Sequence, residues 1–182
     1  MIRGFVSGFC GILAATAFSA GFSAPAQAAT RAAKADVTIV TPLSLIKDED
    51  LDFGSLIRGA TNGTVVVPPS GARTATGGAI LVGTLFNPAR FAGFGAVGQS
   101  VQISMGANSI TLNRVGGGAT MAVDTWVIGS TPTAVLTTNP RVFTISSSNG
   151  IFNFPIGATL RVAANQASGT YTGTFNLILN YQ

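Results

Sequence analysis

The sequence predicts an all-β fold, either a sandwich or a barrel, behind a cleaved export segment. After residue 36, short runs of alternating or β-branched residues recur, separated by clusters of Gly, Pro, Asn or Ser. This succession is typical of all-β sandwiches and barrels, and helical periodicity is almost absent. Because no linker or change of composition interrupts residues 36–182, we expect a single domain there.

The first 28 residues have the character of a signal peptide. Arg3 precedes an apolar run over residues 5–22, and the segment ends in Ala26-Gln27-Ala28, the small-x-small pattern that signal peptidases cleave. We therefore expect cleavage between Ala28 and Ala29, with a short segment, 29–35, ahead of the domain. The chain is then exported to the periplasm, the cell surface or the medium. No later run has the roughly 20 apolar residues of a membrane helix.

The composition argues against an enzyme. Cleavage removes Cys10, the one cysteine, and the chain has no histidine. Asp124 is the sole acid after Asp52, so a nucleophile or a general base has almost no candidates. The net charge is +4, but the basic residues are single and widely spaced, unlike those of a nucleic-acid site. We expect no catalytic residue, no cofactor, no metal ion and no nucleic-acid partner.

The predicted strands alternate in hydrophobicity or are rich in β-branched residues, and turn residues bound them. They are 36–46, 51–57, 64–67, 79–85, 100–105, 109–112, 119–128, 141–146, 158–164 and 170–181. The last one carries the clearest pattern, with Tyr171, Phe175, Leu177, Leu179 and Tyr181 on one face. A strand of that length runs about 40 Å, which is long for a small domain and calls for pairing partners.

The C-terminal block GATLRVAANQASGTYTGTFNLILNY, together with LDFGSL at residues 51–56, resembles the secreted bacterial family called domain of unknown function 4402. The resemblance runs through the whole chain after the signal peptide. More distantly, the chain is similar to the spore coat protein U domain and to pilin subunits of chaperone-usher fimbriae. This resemblance implies an immunoglobulin-like, pilin-like β-sandwich with a structural role.

The pilin resemblance also implies partners. Pilin subunits have a penultimate aromatic residue and a glycine fourteen residues from the end, and here these are Tyr181 and Gly169. In those families the sandwich lacks a strand, which a periplasmic chaperone and then a neighbouring subunit supply by strand addition. The implied interaction strand comprises Gly169, Tyr171, Phe175, Leu177, Leu179 and Tyr181.

The N-terminal end of the domain leaves two interpretations open. Residues 29–35 contain Arg31 and Lys34 and make a poor donor strand. The alternating stretch that follows is either a donor or the first strand of its own domain, and Pro42 within it suggests an edge or a bulge. Its apolar positions are Val37, Ile39, Leu43 and Leu45.

Three motifs suggest chemistry but favour a plainer interpretation. The acids of residues 48–52 lack the glycine and the final glutamate of a calcium loop, so we expect a solvated turn. GFGAVG at 93–98 matches a dinucleotide-binding pattern, but no helix follows it, so we expect a glycine loop. Asp124 beside Trp126 could mark a sugar platform, yet a tryptophan in an alternating strand is more often core.

Two functions follow as hypotheses. The first is a non-enzymatic structural or surface-assembly subunit that assembles by strand addition. Its support is the export signal, the implied interaction strand and a composition with 9% charged and 47% hydrophobic residues, which favours a surface covered by partners. The second is a self-completed, monomeric β-sandwich that binds a surface ligand such as a glycan.

Overall fold

The computed structural model describes residues 31–130 and 134–182, and the regular structure in these ranges is entirely β-strand. The strands are β1 (Ser44–Glu49), β2 (Ser55–Ile57), β3 (Gly63–Val67), β4 (Thr74–Gly77), β5 (Ile80–Val82), β6 (Ala89–Phe94), β7 (Ser100–Met105), β8 (Ile110–Arg114), β9 (Thr120–Ile128), β10 (Ala134–Leu136), β11 (Arg141–Thr144), β12 (Ile151–Val162), β13 (Tyr171–Thr172) and β14 (Leu177–Tyr181). In these ranges no helix has the length and apolar character of a membrane span. The predicted all-β fold is confirmed, and the immunoglobulin-like character stays a prediction.

The described chain divides into two units. Residues 31–37 are exposed and lack regular structure, with the Lys34 ammonium 2.9 Å from the Asp36 carboxylate. The second unit, Thr38–Gln182, contains every strand. The predicted signal peptide and its cleavage site at Ala28 and Ala29 lie outside the described residues.

The larger layer of the sandwich is a nine-stranded sheet around β12. Its main order is β1-β6-β12-β9-β8-β13, with β3 and β4 beside the second half of β12 and β10 beside β9. The first half of β12 pairs with β6 and the second half with β3, so this one strand joins two parts of the sheet. Every described strand pair is antiparallel.

The second layer consists of a three-stranded sheet, β11-β7-β14, and the separate pair β2-β5. Val101, Ile103 and Met105 of β7 are fully or almost fully buried, as expected for alternate residues of a strand that covers a core. Phe143 of β11 makes edge contact with Phe152 of β12 at a ring-centroid distance of 5.3 Å. The core therefore lies between the two layers.

The sequence prediction missed the first half of β12 and all of β4, β6 and β10. Glycines interrupt the strand pattern of β6 and β12 in the sequence, because each of these glycines leaves room for a neighbouring group. A side chain at Gly93 would collide with the ring of Phe152, and one at Gly157 would collide with the carbonyl of Val67. The predicted glycine loop at 93–98 is thus wrong in its first part, since Gly93 and Phe94 belong to β6.

The predicted C-terminal strand, 170–181, is wrong as one element. Tyr171–Thr172 pairs with β8 in the large sheet, whereas Leu177–Tyr181 pairs with β7 in the small one. The chain therefore crosses from one layer to the other between them. Gly173 allows this crossing, because a Cβ there would lie 2.8 Å from both Leu112 Cδ2 and the Thr111 carbonyl oxygen.

The predicted strand 36–46 is also shifted. The observed strand is β1, which pairs with β6 from Ser44 opposite Phe94 to Glu49 opposite Arg90, while residues 38–43 form no strand. Pro42 lacks an N–H group and cannot donate a hydrogen bond to a neighbouring strand. It lies before the first residue of β1. The predicted turn at 48–52 is consequently shorter, because the strand extends to Glu49.

Candidate assembly groove

A large groove with both polar and apolar lining residues opens beside the small sheet. Its volume is about 1470 Å³, and it lies between the β2 region (residues 50–58) and the C-terminal segment (residues 166–177). Inward-facing residues of the large sheet form its floor, namely Phe91, Ile110, Leu112, Met121, Val123 and Leu160. Ile110 and Leu112 are partly exposed, whereas the other four floor residues are buried. We call this space the assembly groove.

Aromatic packing fixes the C-terminal wall of the assembly groove. The ring of Phe175 lies 4.7 Å from that of Trp126 and 6.1 Å from that of Phe91, measured between centroids. The Tyr171 hydroxyl accepts a hydrogen bond from Gln166 Nε2 at 2.8 Å and donates one to the Ala167 carbonyl at 2.6 Å. This wall is therefore held in place by its own chain.

Gly169 stands at the entry to that wall, in a backbone conformation with φ of 144°. A Cβ at this position would lie 2.7 Å from Nε of Arg114, which donates to the carbonyl of Ser168 at 2.7 Å. Glycine is thus required here to bring the chain close to β8. The predicted interaction residues Gly169, Tyr171 and Phe175 line the groove, as does Leu177.

Strand β14 has one free edge among the described residues, since β7 is its one partner there. Gln182 N–H donates to the Ser100 carbonyl at 3.0 Å, and Gly106 N–H donates to that of Asn176 at 2.8 Å. Bonded and non-bonded pairs alternate along an antiparallel ladder. The N–H groups of the odd-numbered residues, Leu177, Leu179 and Tyr181, therefore point away from β7 toward the free edge.

The side chains of β14 follow the predicted pattern. Leu177, Leu179 and Tyr181 are half-buried against the core, and the intervening Ile178 and Asn180 are exposed. This much of the predicted apolar face is confirmed. Leu177 also lines the assembly groove, whereas Leu179 and Tyr181 are not among its lining residues.

The penultimate Tyr181 is bonded to its own chain. Its hydroxyl accepts a hydrogen bond from Ala96 N–H at 2.7 Å and donates one to the Thr41 carbonyl at 2.6 Å. Tyr181 thereby anchors the chain just before β1 to the end of β14. Its predicted role as a chaperone contact stays a prediction.

The alternating stretch before β1 is divided in two. Leu43 and Leu45 are half-buried and pack against the core, so this half belongs to its own domain. Val37 and Ile39 are 87% and 93% exposed, and no described strand pairs with residues 37–41. The first-strand interpretation therefore describes the half that contains Leu43 and Leu45, and the donor role of Val37 and Ile39 stays a prediction.

The opposite wall depends on Arg73, which the sequence prediction missed. Its side chain is 6% exposed, yet no carboxylate pairs with it in the described ranges. The guanidinium instead donates to the carbonyls of Phe53, of Ser55 at 3.2 Å, of Val82 at 2.7 Å and of Gly83 at 2.8 Å. Arg73 thus joins β2 to β5.

The LDFG motif shapes the site that receives Arg73. Gly54 has a φ of 69°, and a side chain there would collide with the Leu85 carbonyl and with the guanidinium. The Asp52 carboxylate accepts a hydrogen bond from Gly54 N–H at 2.7 Å, and its backbone pairs with Asn87. The glycine of LDFG could have indicated that another group lies close to the backbone there, but not which residue supplies that group.

The other acids near the groove are occupied within the chain. Lys47 Nζ lies 2.6 Å from Asp50, and Arg90 Nε lies 2.9 Å from Glu49. In the described residues no group of three or more His, Cys, Asp or Glu side chains is placed to hold a metal ion.

The Asp124 and Trp126 pair separates into two roles. Trp126 is fully buried and donates from Nε1 to the Asn108 carbonyl at 3.1 Å, so the interpretation as core is confirmed. Asp124 faces outward and pairs with Arg161 through both guanidinium Nε and Nη2 at 2.9 Å. Hydrogen bonding from Arg161 holds the pKa of the Asp124 carboxyl below its usual value.

A shallow polar concavity lies next to this ion pair. Its volume is about 560 Å³, and it occupies the face of the large sheet that points away from the core. Hydroxyl, amide and guanidinium groups line it, from Asn62, Thr64, Thr76, Thr111, Arg161 and Gln166. Met121 and Gln166 line both this concavity and the assembly groove.

Comparison with protein families fits the sequence pattern. The family model described as a domain of unknown function, DUF4402, matches residues 43–181. The chain belongs to this family. The match begins at Leu43, where the exposed stretch ends and the packed part of this DUF4402 domain starts. No curated protein matches the chain.

Proposed function

We propose that this DUF4402 protein is an exported, non-enzymatic subunit of a surface assembly, joined to its neighbours by strand addition. Two observations carry the proposal: the assembly groove, a space of about 1470 Å³ that reaches β14 at Leu177, and the free edge of β14. A strand added there would gain main-chain hydrogen bonds from β14 and place alternate side chains on the apolar floor. The signal-peptide pattern and the low charge of the sequence support the same role.

An open edge of this kind also needs protection before assembly. Unpaired strand edges next to apolar surface are aggregation sites, so a periplasmic chaperone that occupies the assembly groove temporarily is part of the proposal. Like subunits then replace it. The C-terminal residues Leu177, Leu179 and Tyr181 are the proposed contact strand for both partners.

A proline substitution tests strand addition directly. The N–H of Leu179 points to the free edge, so Leu179→Pro removes a group that an added strand needs while sparing the ladder to β7. Leu179→Ala is the matched control, because it loses the same packing and keeps the N–H group. We expect exported wild-type protein and Leu179→Ala to form assemblies larger than a monomer, seen by size exclusion and electron microscopy. Leu179→Pro should remain monomeric.

The proposal fails if exported wild-type protein is a stable monomer at every concentration, forms no filaments and needs no chaperone. It also fails if Leu179→Pro assembles as well as Leu179→Ala does, because an added strand cannot then depend on this edge.

A second candidate function, ligand binding by a monomer, has its own supporting observation. The polar concavity of about 560 Å³ presents hydroxyl and amide groups suited to the hydroxyls of a glycan, and β1 pairs within its own sheet. A glycan array with wild-type protein and Arg161→Ala tests it. Binding that the substitution abolishes would favour this candidate, and no binding would count against it.

A further inference from the structure

The outer face of the β2–β5 pair exposes aliphatic side chains to solvent. We call it the outer ribbon face, and it comprises Ser55 and Ile57 of β2, Ile80 and Val82 of β5, and Leu85 shortly after β5. We propose that the outer ribbon face docks on the same face of a second copy and joins neighbouring assemblies side by side. This inference rests on the proposed strand addition and adds a second, lateral contact to it.

Both faces of this two-stranded sheet are apolar. Leu56 and Leu81 are half-buried and pack against the core, and the guanidinium of Arg73 joins the two strands. On the other side, Ile57 and Ile80 lie opposite each other and are 55% and 58% exposed. A short strand that is apolar on both faces is typical of a position covered on both sides. The outer ribbon face is therefore expected to have a partner.

The area of the outer ribbon face indicates what kind of partner it can hold. Leu85 is 82% exposed and Val82 is 41% exposed, and with the two isoleucines they leave on the order of 400 Å² of apolar surface, within the range of a functional patch. Two such faces together bury about 800 Å², which is below the roughly 1,200 Å² of a stable complex. One pair of free domains therefore associates only transiently, whereas assembled subunits present the face many times and gain from multivalency.

The arrangement of the outer ribbon face suits docking on itself. Ser55 and Val82 lie opposite each other at its centre, with the two isoleucines at one end. Leu85 lies at the other end, because its carbonyl oxygen lies against Gly54. A two-fold axis at Ser55 therefore sets the isoleucines of one copy against Leu85 of the second copy, around the smallest side chain of the face.

The charges at the two ends are also complementary. Arg58 follows the isoleucine end, Asp52 precedes Gly54 at the leucine end, and both charged residues are exposed. The ion pairs of the described ranges involve neither of them. The two-fold contact brings Arg58 of one copy to the end that carries Asp52 of the second copy, so opposite charges meet at both rims. A negatively charged lipid surface would instead repel Asp52, so the charges favour a second copy.

Ile80 distinguishes the outer ribbon face from the assembly groove. Ile57, Val82 and Leu85 also line that groove, whereas Ile80 is not among its lining residues. Ile80→Asp places a carboxylate on the outer ribbon face, and Ile151→Asp is the matched control, because Ile151 is 50% exposed on a strand of the large sheet. We expect Ile80→Asp to keep assembling but to lower the fraction of laterally bundled assemblies at least about tenfold in electron micrographs. Ile151→Asp should leave that fraction nearly unchanged.

Disulfide cross-linking tests the two-fold contact without assembly. Ser55→Cys lies at the proposed axis, so in a chain with Cys10→Ser and Leu179→Pro it meets the same cysteine of a second copy. We expect oxidation at high protein concentration to trap several times more covalent dimer than in the same chain with Ser148→Cys, since Ser148 is exposed but lies outside the face. Equal yields from the two cysteine variants would overturn the proposal.

The outcomes separate this inference from the proposed function. If Leu179→Pro abolishes assembly while wild-type and Ile80→Asp assemblies bundle alike, strand addition stands and the lateral contact is wrong. If wild-type protein forms no assemblies, strand addition fails, and the cross-linking yields alone decide the two-fold contact. Wild-type protein that sediments with phosphatidylglycerol vesicles, where Ile80→Asp does not, would assign the face to a membrane surface and overturn the proposal.

Discussion

Replacement of Arg73 by methionine should destabilise the domain far more than any other loss of a single positive charge. Methionine fills much of the same volume but donates no hydrogen bond, so four carbonyls lose the guanidinium as a donor. Those of Val82 and Gly83 belong to exposed residues that water reaches, whereas the bond to Phe53 is buried.

The magnitude follows from these contacts. A hydrogen bond to a charged group contributes about 1.5–3 kcal/mol, and a carbonyl left buried without a partner costs about 1–3 kcal/mol. The burial of the guanidinium itself is unfavourable and offsets part of the sum. We expect a net loss of about 3 kcal/mol in the free energy of unfolding.

Urea denaturation measures this loss. With a slope of about 1.5 kcal/mol per molar, the midpoint should fall by about 2 M. Arg58→Met is the control, because Arg58 is exposed at the end of β2, and exposed substitutions usually change stability by less than about 0.5 kcal/mol. If the midpoint of Arg73→Met equals that of Arg58→Met, the carbonyl contacts do not hold β2 to β5 and the reasoning is refuted.

Three further substitutions test the C-terminal wall, its anchor and the outer ion pair. Phe175→Ala should lower the free energy of unfolding by about 3 kcal/mol in urea, because its ring packs in the aromatic core, and a loss below about 1 kcal/mol would contradict that packing. Tyr181→Phe keeps the ring but loses the hydroxyl, so we expect a loss of about 1–2 kcal/mol by the same assay; an unchanged midpoint would show that the anchor is weak. For Asp124→Asn the expected effect depends on pH. The pKa of Asp124 is lowered in the folded state by Arg161, so the ionised carboxylate stabilises the fold above its unfolded pKa and the effect disappears as the pH falls below about 4. The difference in melting temperature between wild type and this variant should therefore be larger at pH 7 than at pH 3, and an equal difference at both values would contradict the ion pair's role.

The sequence predicted the parts of the fold in which local pattern and tertiary pairing agree. Strand β7 has the predicted bounds, and the alternation of Leu177, Leu179 and Tyr181 matches their burial. The sequence prediction failed where a glycine leaves room for a residue that is distant in the chain. Gly93 accommodates Phe152, and Gly173 allows the chain to cross between layers, and neither neighbour is visible in the local sequence.

The candidate site was predicted in part for the same reason. The apolar residues of the C-terminal wall follow from alternation along the chain, whereas the exposure of Val37 and Ile39 does not, because the same alternation fits a strand of the domain. The role of Arg73 could not be predicted, because its acceptors are backbone carbonyls. Every residue has a carbonyl, so residue types do not indicate which ones accept. The inward bonds of Tyr181 to Thr41 and Ala96 likewise depend on residues far away in the chain.

Amide hydrogen exchange of β14 tests the central claim most directly. In the monomer, the N–H groups of Leu177, Leu179 and Tyr181 point to the free edge, whereas those of Ile178 and Asn180 pair with β7. In the monomer, residue-resolved exchange should therefore be fast at Leu177, Leu179 and Tyr181 and slow at Ile178 and Asn180. In the assembled protein we expect all five to be protected. Assemblies in which Leu177, Leu179 and Tyr181 still exchange as fast as in the monomer would contradict assembly by strand addition.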